Sequence, residues 1–178
     1  MNEMKTGRYP SANRKKQRNG NAAAILSNTV GIFLIVLVLL LMVPSLLPRI
    51  MGYQTYNVIS GSMEPELPVG CLVLVKSISQ EAVKENDIIV FHRGDSIITH
   101  RVVEIQKEER QFITKGDANE SRDAVPIPYQ DLVGIVTHHY AGLGRLMGFL
   151  SSVPGKIFLI GFVIAGVVLQ FLAGKLRS

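Results

Sequence analysis

The feature that most constrains this chain is a pair of long apolar runs that carry no charge. No charged residue occurs from Asn19 to Pro48 or from Ile157 to Gly174. A helix that crosses the hydrocarbon core of a bilayer needs about 20 apolar residues, and it satisfies its own backbone hydrogen bonds there. The first run exceeds that length and the second is close to it. We therefore predict two transmembrane helices, residues 22–47 and 157–174, which enclose one polar domain, residues 48–141.

The positive charge of the chain lies next to these runs. The net charge is +5, yet residues 49–152 contain ten Lys and Arg against thirteen Asp and Glu. Residues 1–21 contain six Lys and Arg against one acidic residue, and Lys175 and Arg177 follow the second run. Positive flanks mark the cytoplasmic side of a membrane span. This pattern predicts a multi-pass protein of the cell (cytoplasmic) membrane rather than a nucleic-acid-binding protein.

The same charges predict the topology. Residues 1–21 and 175–178 form two cytoplasmic tails, and residues 48–141 form an extracytoplasmic domain. A single span with a peripheral C-terminal helix is the alternative. A cleavable secretory signal is disfavoured, since its apolar region is usually about 7–15 residues long and ends at a small-residue site. Residues 142–156 form a juxtamembrane segment, which is either an amphipathic interfacial helix or a linker.

The middle domain has the pattern of an antiparallel β structure. Short runs rich in Val and Ile recur between Gly, Pro, Asn and Asp clusters, and no long helical crossover is available to join parallel strands. Arg93-Gly94-Asp95 predicts a hairpin turn, and within the domain only residues 80–85 have a helical pattern. The fold class is therefore mainly β, flanked by two transmembrane helices. The predicted strands are Tyr53–Ile59, Cys71–Val75, Asp87–Phe91, Ser96–Gln106, Gln111–Thr114 and Leu132–His138.

One segment has the composition of a nucleophile turn. Ser60-Gly61-Ser62-Met63-Glu64-Pro65 follows the first predicted strand. We expect Gly61 to allow a close backbone approach or an unusual φ, so that a serine Oγ is exposed beside backbone donors. Taken alone, such a motif is more often an ordinary turn. Cys71, the single cysteine, is more simply a small buried residue than a nucleophile.

A nucleophilic serine needs a base and an orienting group. On the strand around His100, alternation puts Ile98, His100 and Val102 on one face. A histidine there is more often structural than catalytic, although imidazole suits a base near neutral pH. The loop after the next strand contains Asp117 and Asp123, and one of them could orient the imidazole. The remaining histidines, His92, His138 and His139, read as surface residues.

Together these segments resemble the type I signal peptidase family. The resemblance rests on four regions in matching order and spacing: Ser60–Pro65, Gly70–Lys76, the pair of runs Asp87–Phe91 and Thr99–Val103, and Lys115-Gly116-Asp117 with Asp123. Most bacterial members have lysine before Arg-Val-Val, where this chain has His100. Histidine there is similar to the endoplasmic-reticulum type and the SipW-like group. The resemblance implies antiparallel sheets docked at the membrane surface.

The resemblance also implies the roles of individual residues. Ser62 is the expected nucleophile, His100 the base and Asp123 the expected orienting residue, while Asp117 holds the loop or assists. Ser60 and the Ser62 backbone N–H would stabilise the oxyanion. The expected activity is serine endopeptidase cleavage of signal peptides from secretory precursors, with no cofactor and no metal. The oligomeric state is left open.

A recognition pocket for such precursors should be small and apolar, since signal cleavage sites carry small residues. Candidate wall residues are Ile59, Met63, Val73 and Ile98. Two alternatives stay open. One is a non-catalytic membrane scaffold on the same fold, and the other is a membrane peptidase with a Ser–Lys dyad, in which Lys76 or Lys115 is the base.

Overall fold

The structure is a computed structural model that describes residues 11–177 and the side chains of residues 21–176. Part of the predicted cytoplasmic tail 1–21 therefore lies outside the described residues, and Ser178 lies outside them as well. The described chain divides into two compact units, one formed by residues up to 41 and from 156 onward, the other by residues 42–155. The helices and strands are α1 (Ser11–Ile50), β1 (Tyr53–Asn57), β2 (Leu72–Lys76), β3 (Ile88–Arg93), β4 (Ser96–Gln106), β5 (Gln111–Lys115), β6 (Ile127–Pro128), β7 (Leu132–Tyr140), α2 (Leu143–Ser151) and α3 (Val153–Arg177).

The first unit contains most of two apolar helical segments. Asn21–Ile50 in α1 and Val153–Leu176 in α3 are long and apolar enough to cross a membrane, judged by length and composition. The two helices approach each other at a pair of glycines. A Cβ atom added to Gly31 would lie 2.7 Å from the carbonyl oxygen of Gly166, and one added to Gly166 would lie 2.9 Å from that of Gly31. Small residues of this kind let helix backbones pack closely in lipid.

The second unit is built on one seven-stranded antiparallel sheet. The strand order is β1-β2-β7-β3-β4-β5-β6. The β3–β4 pair is a tight hairpin, in which Arg93 pairs with Ser96 across the turn at Gly94, whose φ is +59°. Glycine suits that turn because its backbone adopts a positive φ without steric cost. The central strands β2, β3, β4 and β7 are rich in β-branched residues, which pack well on a pleated surface.

Two apolar clusters form the core of this unit. One is centred on β3, β4 and β5, and the other lies beneath the segment between β1 and β2. The first contains Val83, Ile89, Phe91, Val102, Phe112, Ile127 and Tyr129; the second contains Met63, Leu67, Cys71, Val73, Val75 and Val90.

The mainly β fold with two flanking apolar helices is confirmed. The six predicted strands and the Arg93–Asp95 turn are present, with ends that differ by two residues or fewer. The two-residue strand β6 was not predicted, because a pair containing Pro128 has too little pattern to detect. Residues 80–82 form a single 3-10 turn. Within residues 142–156 the structure has the helix α2, which buries Gly144 and Met147, and the first residues of α3, which begins at Val153. An interfacial position for α2 stays a prediction.

Candidate active site

Ser62 lies in the segment that connects β1 to β2. The ladder of these two strands continues past β1, where the Val58 N–H donates to the Cys71 carbonyl. A turn follows, in which the Glu64 N–H donates to the Gly61 carbonyl at 3.0 Å. Met63 is 1% exposed and packs into the core. Its burial leaves the neighbouring Ser62 half-buried at the surface of the domain.

Gly61 does not have the role expected from the sequence. Its φ is not positive, and a Cβ atom there would meet Glu64 at 3.5 Å, an ordinary contact. The expectation of an unusual φ or a close backbone approach at Gly61 was therefore wrong. The hydrogen bond within the turn and the burial of Met63 fix this segment instead.

His100 lies on β4 and points toward Ser62. It is 7% exposed and pairs with Ile89 on the neighbouring strand. Its ring makes an edge contact with Phe91, with a centroid separation of 6.3 Å. The Nε2 atom lies 3.3 Å from Ser62 Oγ. The predicted strand face is confirmed, since Ile98 and Val102 lie on either side of His100 in the core.

Asp123 lies on the other side of the imidazole. Its Oδ2 atom is 2.7 Å from His100 Nδ1 and accepts a 2.7 Å hydrogen bond from Thr114 Oγ1. Arg93 Nη2 is 3.5 Å from the same oxygen. Burial opposes ionisation of this carboxyl group, but the Thr114 and His100 hydrogen bonds and the positive charge of Arg93 outweigh it and lower the pKa of Asp123. Asp123 is thus held as a carboxylate beside the imidazole.

Asp117 binds a different cation. Its two carboxylate oxygens accept hydrogen bonds from Arg101 Nη2 at 2.6 Å and Arg101 Nε at 2.8 Å. Arg101 also donates to the Asn86 carbonyl through Nη1. This bidentate pair connects the loop after β5 to the strand that carries His100. Of the two aspartates, Asp123 is the one hydrogen-bonded to the imidazole.

The structure identifies Gly116 as a site residue that the sequence analysis did not assign. A Cβ atom there would lie 2.5 Å from the Ser62 carbonyl oxygen and 3.0 Å from His100 Nε2. The Ser62 carbonyl oxygen also accepts a hydrogen bond from the Ala118 N–H, two residues further along the loop, at 2.9 Å. The glycine in Lys115-Gly116-Asp117 could have indicated a position without room for a side chain. Only the fold shows that the Ser62 carbonyl and the His100 ring lie next to it.

A small cavity of about 180 Å³ opens beside Ser62. Ser60 Oγ lies 3.4 Å from Ser62 Oγ at its edge. Of the predicted wall residues, Ile59 (88% exposed), Met63 and Ile98 line the cavity, whereas Val73 is fully buried in the core and does not. The lining residues that the sequence analysis missed are Asn57, Val58, Ile97 and Thr99.

The other candidate nucleophiles and bases lie apart from this arrangement. His92, His138 and His139 are exposed, in agreement with the prediction. Cys71 is buried, and burial raises the pKa of its thiol. Among the described side chains, the hydrogen-bond partners of Ser62 Oγ are His100 and Ser60. No cluster of three or more potential metal ligands occurs within residues 11–177.

The hydrogen-bonded order Ser62–His100–Asp123 has the geometry of a serine hydrolase site, in which the imidazole can take the serine proton while the carboxylate fixes its tautomer.

Comparison with known proteins agrees with this geometry. The sequence model of the family described as "Signal peptidase, peptidase S26" matches residues 28–115, a stretch that contains Ser62 and His100 and ends before both aspartates. The chain matches this signal peptidase family over residues 28–115, as the resemblance predicted.

Two kinds of relative are similar to this chain. Signal peptidase I W of Bacillus subtilis is 39% identical over 105 residues, which cover 54% of this chain and 55% of that protein. The signal peptidase complex catalytic subunit SEC11C of Homo sapiens is 35% identical over 71 residues, 37% of each chain. The chain thus spans about half the length, or less, of the curated relatives it matches. Both relatives agree with the subgroup predicted from His100.

Proposed function

We propose that this protein is a membrane-bound serine endopeptidase that removes N-terminal signal peptides from secretory precursors. The match to the family model supports the reaction type, since the similar proteins are named signal peptidases. The observation that carries the assignment to residues is the chain of contacts from Ser62 Oγ through His100 to Asp123, at 3.3 and 2.7 Å. Such distances are within or near hydrogen-bond reach, and contacts of this kind often tighten when substrate binds.

In the proposed reaction, His100 Nε2 takes the proton of Ser62 Oγ as the oxygen attacks the scissile carbonyl. Asp123 holds the other ring nitrogen and stabilises the imidazolium that forms. The Ser60 hydroxyl and the Ser62 N–H donate to the oxyanion. The imidazolium then protonates the leaving amine, and water hydrolyses the acyl-enzyme with His100 again acting as base.

The cavity beside Ser62 suits a small residue of the substrate. Its volume of about 180 Å³ is below the range of about 300–1,000 Å³ that is usual for small-molecule pockets. Ile97, Ile98 and Thr99, three consecutive residues of β4, are among the residues that line it. We propose that this cavity accepts the small side chains that precede a signal cleavage site.

We propose a location in the cell membrane, with the β domain on the extracytoplasmic side and both termini in the cytoplasm. The two helices long enough to span a bilayer and the basic residues that flank them support this topology. A precursor anchored by its own apolar segment would then meet the enzyme at a high effective concentration in the same membrane.

The decisive experiment is a precursor-processing assay in membranes. We expect Ser62→Ala and His100→Ala to abolish processing while the protein stays folded and membrane-inserted. Ser60→Ala should lose about 10²–10³-fold in kcat, because one oxyanion donor contributes about that much. The matched controls Lys76→Ala and Lys115→Ala should remain active.

Normal processing by Ser62→Ala would overturn the enzymatic assignment and favour a scaffold. Activity in His100→Ala, with loss in one lysine variant, would favour a Ser–Lys dyad.

A further inference from the structure

Thr114 is a buried polar residue whose hydroxyl is directed at the proposed site. Among the described side chains, the buried polar or charged residues are His100 and Thr114, and Thr114 is 0% exposed. Both donate to the same atom, Asp123 Oδ2, each at 2.7 Å. Burying a hydroxyl is unfavourable unless it is hydrogen-bonded, so this position is specified for its bond to Asp123 as well as for packing.

The same residue holds Asp123 at a second point. The Asp123 N–H donates to the Thr114 carbonyl at 2.8 Å. Asp123 lies in the irregular stretch between the end of β5 at Lys115 and the start of β6 at Ile127. A residue in such a stretch has no sheet ladder of its own to fix it. Strand β5 therefore fixes both the backbone and the carboxylate of Asp123 through Thr114 alone.

The other contacts of Asp123 do not replace this restraint. Arg93 Nη2 is 3.5 Å from Oδ2, its side chain is 37% exposed, and it also donates to the Val125 carbonyl. A long, partly exposed guanidinium attracts the carboxylate but restricts its rotation weakly. The terminal torsion of an aspartate is broad, so a single bond to His100 leaves its orientation open.

We infer that Thr114 is a positioning residue of this site, a fourth member of the hydrogen-bonded chain that acts on His100 through Asp123. The inference rests on the proposed function, in which His100 is the base. By holding Oδ2 in line with the imidazole Nδ1, the Thr114 hydroxyl keeps the proton on Nδ1. It thereby leaves Nε2 free to accept the proton of Ser62.

The first test compares Thr114→Val with Thr114→Ser in detergent-solubilised full-length protein. Valine keeps the shape of threonine and removes the hydroxyl, whereas serine keeps the hydroxyl and removes the methyl group. We expect Thr114→Val to lower kcat about 10–100-fold, because a hydrogen bond to a charged group is lost, with KM changed by less than about twofold. Thr114→Ser should recover kcat to within about threefold of the wild type.

The second test separates positioning from packing. If Thr114 acts through Asp123, Thr114→Val should have no further effect on kcat in an Asp123→Ala background. A packing role would give the same fold loss in both backgrounds, and that result would overturn the inference. Wild-type kcat in a folded Thr114→Val protein would overturn it as well.

A third measurement does not depend on peptidase activity. The ¹⁵N NMR spectrum of histidine-labelled protein, with the His100 signals assigned by their loss in His100→Ala, should show the Nδ1–H tautomer in the wild type and in Thr114→Ser. Thr114→Val should give a mixture of tautomers. An unchanged tautomer in Thr114→Val would refute the positioning role, whether or not the protein cleaves precursors. Absence of cleavage by the wild type would refute the proposed function alone.

Discussion

Replacing Gly116 by alanine should remove most of the activity without unfolding the domain. The added Cβ atom would lie 2.5 Å from the Ser62 carbonyl oxygen, 2.8 Å from Asn119 Nδ2 and 3.0 Å from His100 Nε2. The amide of Asn119 is a side-chain group that can move aside. The Ser62 carbonyl cannot move freely, since it accepts the Ala118 N–H at 2.9 Å and belongs to the backbone that carries the proposed nucleophile.

The size of the effect follows from these distances. Real Cβ atoms essentially never approach closer than 3.0 Å, and ordinary contacts begin near 3.4 Å, so Ser62 and the loop after β5 must separate by 0.5–0.9 Å. Ser62 Oγ and His100 Nε2 are already 3.3 Å apart, at the outer limit of a hydrogen bond. A misplacement of about 1 Å costs about 100-fold in rate. We therefore expect kcat/KM to fall about 100-fold.

The assay is cleavage of a precursor by purified Gly116→Ala protein, with its melting temperature measured in parallel. Gly61→Ala is the matched control, because the nearest atom to a Cβ there belongs to the Glu64 side chain, at an ordinary contact distance of 3.5 Å, and no positive φ is disturbed. We expect its loss to be at least tenfold smaller. Full activity of a folded Gly116→Ala protein, or an equal loss in Gly61→Ala, would refute the steric argument.

Three further predictions follow from the charges of the chain. Asp123→Asn should lower kcat on the order of 10⁴-fold while the protein stays folded at neutral pH. Asp117→Asn disrupts the bidentate pair with Arg101, so it should lower the free energy of unfolding by about 1–3 kcal/mol and affect kcat less; the reverse ranking of the two effects on kcat would exchange their roles. The lowered pKa of Asp123 stabilises the folded state above its unfolded pKa of about 3.9, and this contribution is lost as pH falls through the lower folded value. Thermal melting between about pH 2 and 5 should therefore depend less on pH in Asp123→Asn, and parallel curves would contradict this. A reporter fused after Ser178 should be active in the cytoplasm, and a reporter inserted after Gly94 should be active outside it. An outer location for the C-terminus would show that the second apolar helix does not cross the membrane.

The strands and the two apolar helices could be predicted from the sequence because their signals are local. Runs of Val and Ile and the turn at Gly94 set each element within a few residues. The alternation around His100 also predicted its buried face correctly. A two-residue strand such as β6 has no such local signal, since it exists only through its pairing with β5.

The assignment of partners within the site depended on more than local pattern. The sequence alone left Asp117 and Asp123 as equivalent candidates in one loop, and the resemblance favoured Asp123. The structure distinguishes them by their contacts: Asp117 accepts a hydrogen bond from Arg101, and Asp123 is hydrogen-bonded to the His100 imidazole. The wall of the cavity was predicted in part, with Val73 on the core side of the sheet rather than beside Ser62.

By itself, the sequence determined the two apolar helices, the β class of the domain and the chemical identity of the candidate site residues. Hydrophobicity, strand propensity and side-chain chemistry are properties of short segments, so they can be recognised in the sequence without knowledge of the fold. Only the tertiary structure decided that Gly116 must have no side chain and that Thr114 holds Asp123. The Gly116 contact depends on atoms that the sheet brings together from distant parts of the chain, since Gly116 follows Ser62 by 54 positions. The Thr114 bond depends on how the loop that carries Asp123 folds back on β5. Such contacts arise from strand pairing and loop packing, which no local pattern encodes.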